Sequence, residues 1–352
     1  MKKLAKIVLF ITLVFTMVLA GFLALATVNN PKREPVETLE IENTNDLEIN
    51  QRETIKITTF NIGYCSLDMY QDFFFDGGTS GRSSSLDKTK ENLDQITAFL
   101  SKSNSDILLL QEVDRDSLRS YRIDQFSSLK SNLKDYTAVF AENYNAFWVP
   151  IPIAKPMGDV LGGMATFSKY TPESATRYNL EGQESWPMKL FELDRCFVET
   201  IYKVNDIKNL YVLNIHLSAY DKGGKLRNAQ SKHLKSHIEE LYNQGHYVIV
   251  GGDWNQLISD IQKKDPDFIN NWPEWLVEVQ ANFNEVGFLW GVSDVMTVRD
   301  LDAPYNKGKT FETIIDGFLV SPNLEIINIT GHDLNFEFSD HNPVSIEVLL
   351  TE

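Results

Sequence analysis

Residues Tyr247–Asn255 read YVIVGGDWN, an apolar run that ends in two glycines, an aspartate, a tryptophan and an asparagine. Four β-branched or aromatic residues in a row predict a buried strand, Tyr247–Asp253, with a carboxylate at its end. A buried carboxylate without a partner is costly, so Asp253 implies a nearby cation or polar group. Glycine and asparagine after a strand are also typical of a simple turn, which leaves that interpretation open.

The arrangement of an apolar strand with a polar end recurs along the chain. The other polar strand ends are Asn61 in TTFN, Glu112 in LLLQE, His216 in LNIH, Asp316 in IID, and Asp340 with His341 in SDHNPV. Singly, each has an ordinary interpretation as a turn residue, a helix cap or a surface group. Jointly, these carboxylates, amides and imidazoles are the groups that bind a hard divalent cation and a phosphate.

The order of strand-like and helix-like segments predicts the fold class. Short β-branched runs predict the strands Ile55–Asn61, Asp106–Glu112, Met164–Ser168, Cys196–Val204, Leu210–His216, Tyr247–Asp253, Thr313–Val320 and Val344–Leu349. Apolar residues at helical spacing predict helices over Leu86–Leu100 and Leu226–Tyr242. Strands with interspersed helices and no second boundary predict one layered α/β domain over residues 54–352.

This ordered set of residues resembles the endonuclease/exonuclease/phosphatase superfamily, which includes deoxyribonucleases, neutral sphingomyelinases and inositol-polyphosphate phosphatases. The resemblance covers about residues 54–349, and its most specific parts are GDWN at 252–255 and SDHNPV at 339–344. It implies a four-layer sandwich of two packed mixed β-sheets flanked by helices. It also implies a phosphoesterase that uses Mg²⁺, with Mn²⁺ as a substitute.

The resemblance implies a metal site and a proton acceptor. Glu112, Asn61 and Asp340 are expected to hold the metal, because carboxylate and amide oxygens suit Mg²⁺. His341 is the expected general base, since imidazole titrates near neutral pH. Asp316 is expected to orient His341 and to stabilise its protonated form.

By the same resemblance, three further residues contact the reacting groups. Asp253 and Asn255 are expected to position the attacking water and a non-bridging phosphate oxygen. His216 is expected to contact the phosphate or to assist the leaving oxygen.

Two arginines are additional candidates for binding the phosphate. Arg195 begins a predicted strand, where an ordinary salt bridge to Asp194 or Glu192 is the alternative interpretation. Arg82 lies in Asp76–Ser85, a Gly/Ser-rich insert after the first strand. Long loops of this kind are often functional lids, and a plain solvated loop is the alternative.

The N-terminal residues 1–27 contain an uninterrupted apolar run from Ile7 to about Ala26. About 20 apolar residues suffice for a helix to cross a bilayer. The lysines before the run predict a cytoplasmic N-terminus and a domain outside the cell membrane. The small residues of Ala24–Ala26 also resemble a signal-peptide cleavage site, which would give a secreted protein instead. Residues 28–53 turn polar and acidic and predict a disordered stalk.

Composition narrows the classes of partner. The formal net charge of the 352-residue chain is −16, and such an acidic protein repels nucleic acid at long range. The two cysteines, Cys65 and Cys196, are expected to be buried free thiols, with a disulfide as the alternative for an extracellular domain. A monomer is expected.

These observations predict a Mg²⁺-dependent hydrolase of a phosphodiester or phosphomonoester. A lipid headgroup or another small ester is favoured as substrate, because of the membrane helix and the acidic charge. The first alternative is an extracellular, deoxyribonuclease-like nuclease. The second is a non-catalytic binding domain on the same fold, against which the presence of both His216 and His341 argues.

Overall fold

The computed structural model describes residues 2–50, 52–205, 207–264, 268–269 and 272–351. Within these residues the helices are α1 (Lys2–Asn29), α2 (Leu86–Ser103), α3 (Gln125–Asn132) and α4 (Lys225–Asn243). The strands are β1 (Val36–Thr38), β2 (Ile41–Glu42), β3 (Thr54–Asn61), β4 (Ile107–Asp114), β5 (Thr137–Val149), β6 (Gly158–Ser168), β7 (Ser174–Asn179), β8 (Cys196–Lys203), β9 (Asn209–His216), β10 (Tyr247–Asp253), β11 (Leu289–Gly291), β12 (Val298–Arg299), β13 (Glu312–Thr313), β14 (Asp316–Val320), β15 (Leu324–Gly331) and β16 (Val344–Leu350).

Two mixed sheets form the centre of the described chain. One has the strand order β1-β7-β8-β9-β10-β14-β11, and the other has the order β15-β16-β3-β4-β6-β5-β2. Alternation along the strands builds the layers: Ile107 and Leu109 of β4 pack between the sheets, whereas Leu108 and Leu110 pack with α2 and α3. Strand β10 repeats this pattern against α4. The predicted four-layer α/β sandwich is therefore confirmed.

Helix α2 shows how local sequence sets element bounds. Its N-cap, Ser85, accepts a hydrogen bond from the backbone N–H of Lys88 at 3.1 Å. Asn104 ends the helix in a left-handed conformation. The helix predicted over Leu86–Leu100 is confirmed and extends to Ser103.

Strand directions bring polar strand ends to one edge of the sandwich. Strand β3 runs parallel to β4, and β9 runs parallel to β10. Asn61, His216 and Asp253 end three of these strands, and Glu112 lies two residues before the end of β4. Strand β14 is antiparallel to β10, so its first residue, Asp316, pairs with Asp253. We call this side of the sandwich the polar edge.

The strand predicted over Thr313–Val320 is divided in the structure. Thr313 pairs with β12, and β14 begins only at Asp316. The hydroxyl of Thr297 accepts hydrogen bonds from the backbone N–H groups of Ile315 and Asp316, both at 3.0 Å. These two bonds replace ladder bonds, which is why the strand is interrupted there.

The structure differs from the disordered stalk predicted over residues 28–53. Helix α1 continues to Asn29, β1 pairs with β7, and β2 pairs with β5. Arg33 forms an ion pair with Glu142, and Ile49 is buried between the sheets. The open edges of both sheets supply backbone partners to this segment, so its polar composition does not leave it disordered.

Helix α1 is long and apolar enough to cross a membrane, and its most apolar stretch is exposed. Its last turns touch the domain. Phe22 stacks on Phe191 with ring centroids 5.9 Å apart, and the indole N–H of Trp186 donates to Thr27 Oγ1 at 3.2 Å.

Cys65 and Cys196 are both buried as free thiols. Cys65 packs in the cluster beside α2, whereas Cys196 packs in a separate cluster with β5 and β6. Free thiols were the expected state, and the disulfide alternative is wrong.

Candidate active site

The polar edge gathers three of the expected residues around a fourth, Asp253. The amide nitrogen of Asn61 lies 3.0 Å from Asp253 Oδ2 and 3.3 Å from Glu112 Oε1. His216 Nε2 lies 3.5 Å from Asp253 Oδ2 and 3.9 Å from Glu112 Oε1. All four side chains line one cleft or contact a residue that does. Residues from both sheets therefore meet at this point.

A histidine–carboxylate pair lies beside this group. His341 Nδ1 and Asp316 Oδ2 are 2.8 Å apart, and both side chains are buried. The second ring nitrogen, Nε2, lies 3.8 Å from Asp253 Oδ2 and 3.9 Å from Asp340 Oδ2. Asp316 thus occupies one nitrogen of His341 and leaves the other facing the carboxylates of the site.

The backbone at the site adopts uncommon conformations. Glu112 and Asn255 have φ angles of 55° and 48°, in the left-handed region that few non-glycine residues adopt. The unusual conformation of Glu112 coincides with a β-bulge between Leu110 and Val113, and a bulge of this kind changes the direction in which a side chain points. The backbone of Gly63 lies so close to Asp340 that a Cβ on this residue would be 2.7 Å from Asp340 Oδ1.

Burial and neighbouring carboxylates raise the pKa values of Glu112 and Asp253. Burial and the nearby charge of Asp340 raise the pKa of Glu112. Burial and the charge of Asp316 raise the pKa of Asp253 to about 6. This concentration of negative charge is unfavourable by itself, and a bound cation would relieve it.

The two histidines differ in their protonation. Burial and the positive charge of Arg195 hold the pKa of His216 well below its ordinary value, so His216 is neutral. Burial would also lower the pKa of His341, but Asp316, Asp340 and Asp253 outweigh it and raise that pKa well above its ordinary value.

Two groups of donors could hold a divalent cation. Asp253, Asp316 and His341 offer ligand atoms within 4.8 Å of one another. However, Asp316 already occupies His341 Nδ1, so within this group only Nε2 of His341 is left to bind a cation or a proton. The expected ligands Glu112 and Asp340 line the same cleft, and oxygen donors of this type fit Mg²⁺.

Arg195 directly precedes β8 and lies in the wall of the cleft. Its guanidinium is buried and makes one long hydrogen bond, from Nη1 to the carbonyl oxygen of His216 at 3.5 Å. Among the described residues, no ion pair joins it to Asp194 or Glu192. A buried cation with so few protein partners is suited to an anionic ligand.

Arg82, the second predicted arginine, does not line the cleft. Its Nε–H donates to the carbonyl oxygen of Pro156, and the neighbouring Ser83 accepts a hydrogen bond from Lys155. Arg82 thus ties the insert to the β5–β6 loop, and we do not retain it as a phosphate ligand.

The start of the insert does reach the cleft. The hydroxyl of Tyr220 lies 3.1 Å from Asp76 Oδ2, and Phe75 stacks on the Tyr220 ring with centroids 5.3 Å apart. Burial raises the pKa of Asp76 to about 7. Sequence reasoning missed Tyr220, which follows His216 by four residues, because nothing in its own neighbourhood marks this contact.

Asn143 is a second residue that sequence reasoning missed. It is buried in β5, lines the cleft, and its amide nitrogen has no hydrogen-bond partner in the part of the chain that the structure describes. An unpaired buried donor in a cleft of this kind is available to a phosphate oxygen. The only sequence signal for Asn143 was the alternation of apolar and polar residues along β5, and that strand was not predicted.

Solved structures with the same architecture share little sequence with this chain. An endonuclease/exonuclease/phosphatase from Beutenbergia cavernae aligns with a TM-score of 0.58 at 15% identity, over 85% of this chain and 72% of that one. ANGEL2, a 2′,3′-cyclic phosphatase, aligns with a TM-score of 0.54 at 16% identity, over 91% of this chain and 100% of that one. TDP2 from Caenorhabditis elegans aligns with a TM-score of 0.52 at 15% identity, over 85% of this chain and 75% of that one. No curated protein matches.

A profile of the Endonuclease/Exonuclease/phosphatase family matches residues 58–341, which is more than half of the chain. These bounds include every polar-edge residue from Asn61 to His341. Members of the family are phosphoesterase hydrolases, which supports hydrolysis of phosphoester bonds in general. The chain belongs to the endonuclease/exonuclease/phosphatase family.

Proposed function

We propose that the protein is a Mg²⁺-dependent phosphoesterase in which His341 takes a proton from the attacking water. One observation carries this proposal: the His341–Asp316 pair opens onto the same cleft as Glu112 and Asp340. A proton acceptor and a set of cation ligands are the two requirements of metal-assisted hydrolysis.

Glu112 and Asp340 would hold the cation together with the amide oxygen of Asn61, which also accepts a hydrogen bond from the backbone N–H of Gly63. Mn²⁺ could replace Mg²⁺ because it accepts the same oxygen donors. When bound, the cation would offset negative charge on the phosphate and on Asp340. Since the charge of Asp340 contributes to the raised pKa of His341, that pKa would fall toward neutrality. His341 could then accept a proton at physiological pH.

The reaction is a displacement at phosphorus. A bond forms between the water oxygen and phosphorus as the ester P–O bond breaks, and the water proton moves to His341 Nε2. Asp316 keeps a proton on Nδ1 and stabilises the resulting imidazolium. Asp253 and Asn255 orient the water, and the leaving oxygen takes its proton from solvent.

Phosphate oxygens would be bound by three groups on the other strands of the cleft. Arg195 supplies a buried positive charge, and Asn143 supplies its unpaired amide. The low pKa of His216 makes it a neutral hydrogen-bond donor rather than an acid for the leaving oxygen.

The purified full chain in detergent tests this proposal with bis(p-nitrophenyl) phosphate as substrate. We expect turnover with Mg²⁺, loss of turnover with EDTA, and recovery when Mg²⁺ is restored in excess. Asp253→Asn is the control for a contaminating hydrolase, because it should remain inactive under all three conditions. Absence of metal-dependent turnover on this and on a phosphomonoester would leave the binding-domain alternative.

We further propose that residues 1–27 anchor the chain and that the catalytic domain lies outside the cell membrane. Helix α1 has the required length, and its exposed apolar surface supports an anchor. Mass spectrometry of the protein from membrane and medium tests this. A mature N-terminus near Thr27 in the medium would show a cleaved signal peptide instead.

A lipid headgroup or another small ester is the proposed substrate class. The anchor and the acidic charge of −16 support it, because both favour a membrane ester over a polyanionic nucleic acid. Parallel assays on sphingomyelin vesicles, inositol phosphates and plasmid DNA decide between the classes. Cleavage of the plasmid alone would establish the nuclease alternative.

A further inference from the structure

Two loops of the domain expose large apolar side chains close to the cleft. The β5–β6 connection and the end of β5 expose Phe147, Ile151 and Ile153, and the segment before β8 exposes Trp186 and Met188. Ile153 is 90% exposed, and it is the grouping of these side chains, rather than any one of them, that indicates an interaction surface. We call these five side chains the apolar rim.

The loops that carry the apolar rim also form a wall of the cleft. Met157 follows the first loop, and Glu192, Leu193 and Arg195 follow the second, and all four line the cleft. The two loops are joined through the hydroxyl of Tyr144, which donates to the carbonyl oxygen of Phe191 at 2.8 Å. The rim therefore borders the opening to the catalytic groups.

Helix α1 meets the domain at this rim. The indole of Trp186 binds Thr27, and the ring of Phe191 stacks on Phe22, at the end of the apolar run of α1. In a helix that spans a bilayer, this is the level of the membrane–water interface, where tryptophan is enriched.

The direction of α1 places the polar edge on the same side. Strand β5 runs in the direction of β4, since both are antiparallel to β6, so its C-terminal end lies at the polar edge. Arg33 contacts Glu142 near the middle of β5, whereas Phe22 lies beside Phe191, the partner of Tyr144. Residue 22 therefore lies nearer to the polar edge than residue 33 does, as measured along β5.

From this geometry we infer that the apolar rim inserts into the interface of the bilayer that α1 spans, so that the cleft opens onto the lipid surface. The inference rests on the proposed anchor, and it names the lipids of that bilayer as the source of the phosphate ester. The matching bilayer is zwitterionic. Exposed Lys155, Lys189 and Glu184 give the two loops mixed charge, and a chain of net charge −16 is repelled by anionic lipid.

Site-specific fluorescence tests the insertion without reference to catalysis. Full-length Ile153→Cys, labelled with bimane, is reconstituted in phosphatidylcholine vesicles that contain a doxyl-labelled phosphatidylcholine as quencher. The two native cysteines are buried, so labelling is confined to the new thiol. The matched control is Ile207→Cys, which is 84% exposed and precedes β9, whose other end carries His216 at the polar edge.

We expect the doxyl lipid to reduce bimane emission about twofold at position 153 and by less than about a tenth at position 207, because only the rim lies within reach of acyl chains. The intact mass of the labelled chain verifies that α1 is still attached. Equal emission with and without quencher at position 153 overturns the inference, as does equal quenching at both positions.

Turnover separates this inference from the proposed function. Phe147→Ser combined with Ile153→Ser should lower hydrolysis of vesicle phospholipid about tenfold and leave hydrolysis of soluble bis(p-nitrophenyl) phosphate unchanged. Ile207→Ser should change neither rate. Equal turnover of vesicle lipid by the rim variant and the unmodified chain overturns the inference. Quenching at position 153 without turnover of any ester would overturn the proposed function alone.

Discussion

Two histidine–carboxylate pairs in this molecule have similarly short nitrogen–oxygen contacts but lie in different surroundings. His341 and Asp316 are 2.8 Å apart at the polar edge, and His237 of α4 and Glu199 of β8 are 2.6 Å apart on the outer face of one sheet. The rings of Tyr178 and Phe197 flank His237, with centroids 4.9 and 5.0 Å away.

The two pairs differ in the groups that surround the rest of each imidazole ring. Nε2 of His341 faces Asp253, Asp340 and the amide of Asn61 in an open cleft. The His237 pair instead joins a helix to a sheet among aromatic rings. A short histidine–carboxylate contact is thus no indication of catalysis unless the free nitrogen faces groups that can bind a reactant.

Replacement of each histidine by glutamine gives the largest contrast. His341→Gln should lower kcat about 10²–10⁴-fold, because glutamine cannot accept the water proton. His237→Gln should leave kcat within about twofold, since it touches no group of the cleft. Steady-state kinetics on bis(p-nitrophenyl) phosphate with saturating Mg²⁺ measures both. A comparable loss in the two variants would contradict the distinction.

The pH dependence of the rate gives a smaller effect. Burial and Asp316 raise the pKa of Asp253 to about 6, so this carboxyl is protonated below that pH and becomes a weaker hydrogen-bond acceptor for the attacking water. We expect kcat/KM to fall at least about tenfold per pH unit below about pH 6, because protonation of Asp253 adds to protonation of the general base His341. His237→Gln should show the same profile. A rate that is constant from about pH 5 to 7 would rule out this role for Asp253.

The smallest expected effect is on stability, and it belongs to the second pair. His237→Leu should lower the free energy of unfolding by about 2 kcal/mol, because it leaves the buried Glu199 carboxylate with one long hydrogen bond from Tyr178. Urea unfolding measures the change. In His237→Leu with Glu199→Leu, much of the loss should be regained, since no buried charge remains. An additive double variant would show that the two residues are not coupled.

The polar strand ends could be predicted from sequence because each is a local signal. A run such as LLLQE or YVIVGGD marks both the strand and the residue that ends it. That Asp316 lies against His341, 25 positions away, follows from the pairing of β14 with β10 and from the position of β16. No spacing in the sequence indicates that pairing, and the family resemblance supplied it.

The contacts that sequence reasoning missed depend on distant partners. The bond between Asp76 and Tyr220 joins residues 144 positions apart, and Arg82 binds a carbonyl oxygen 74 positions away. The strands β1 and β2 were missed for the same reason. Their polar sequence resembles a linker, and only the open edges of the two sheets give them partners.

The pairing of β1 and β2 bears on whether the domain can be shed from a membrane. Proteases that release ectodomains cut exposed and unpaired chain, and susceptibility follows from burial and hydrogen bonding. Here the chain from residue 35 to residue 45 is bonded to the domain, through Pro35 to Asn179, through Leu39 to Ala175 and through Asn45 to Lys169. A sheddase would therefore have to strip β1 or β2 from its sheet before it could cut within residues 36–42, which leaves residues 30–34, between α1 and β1, as the accessible stretch.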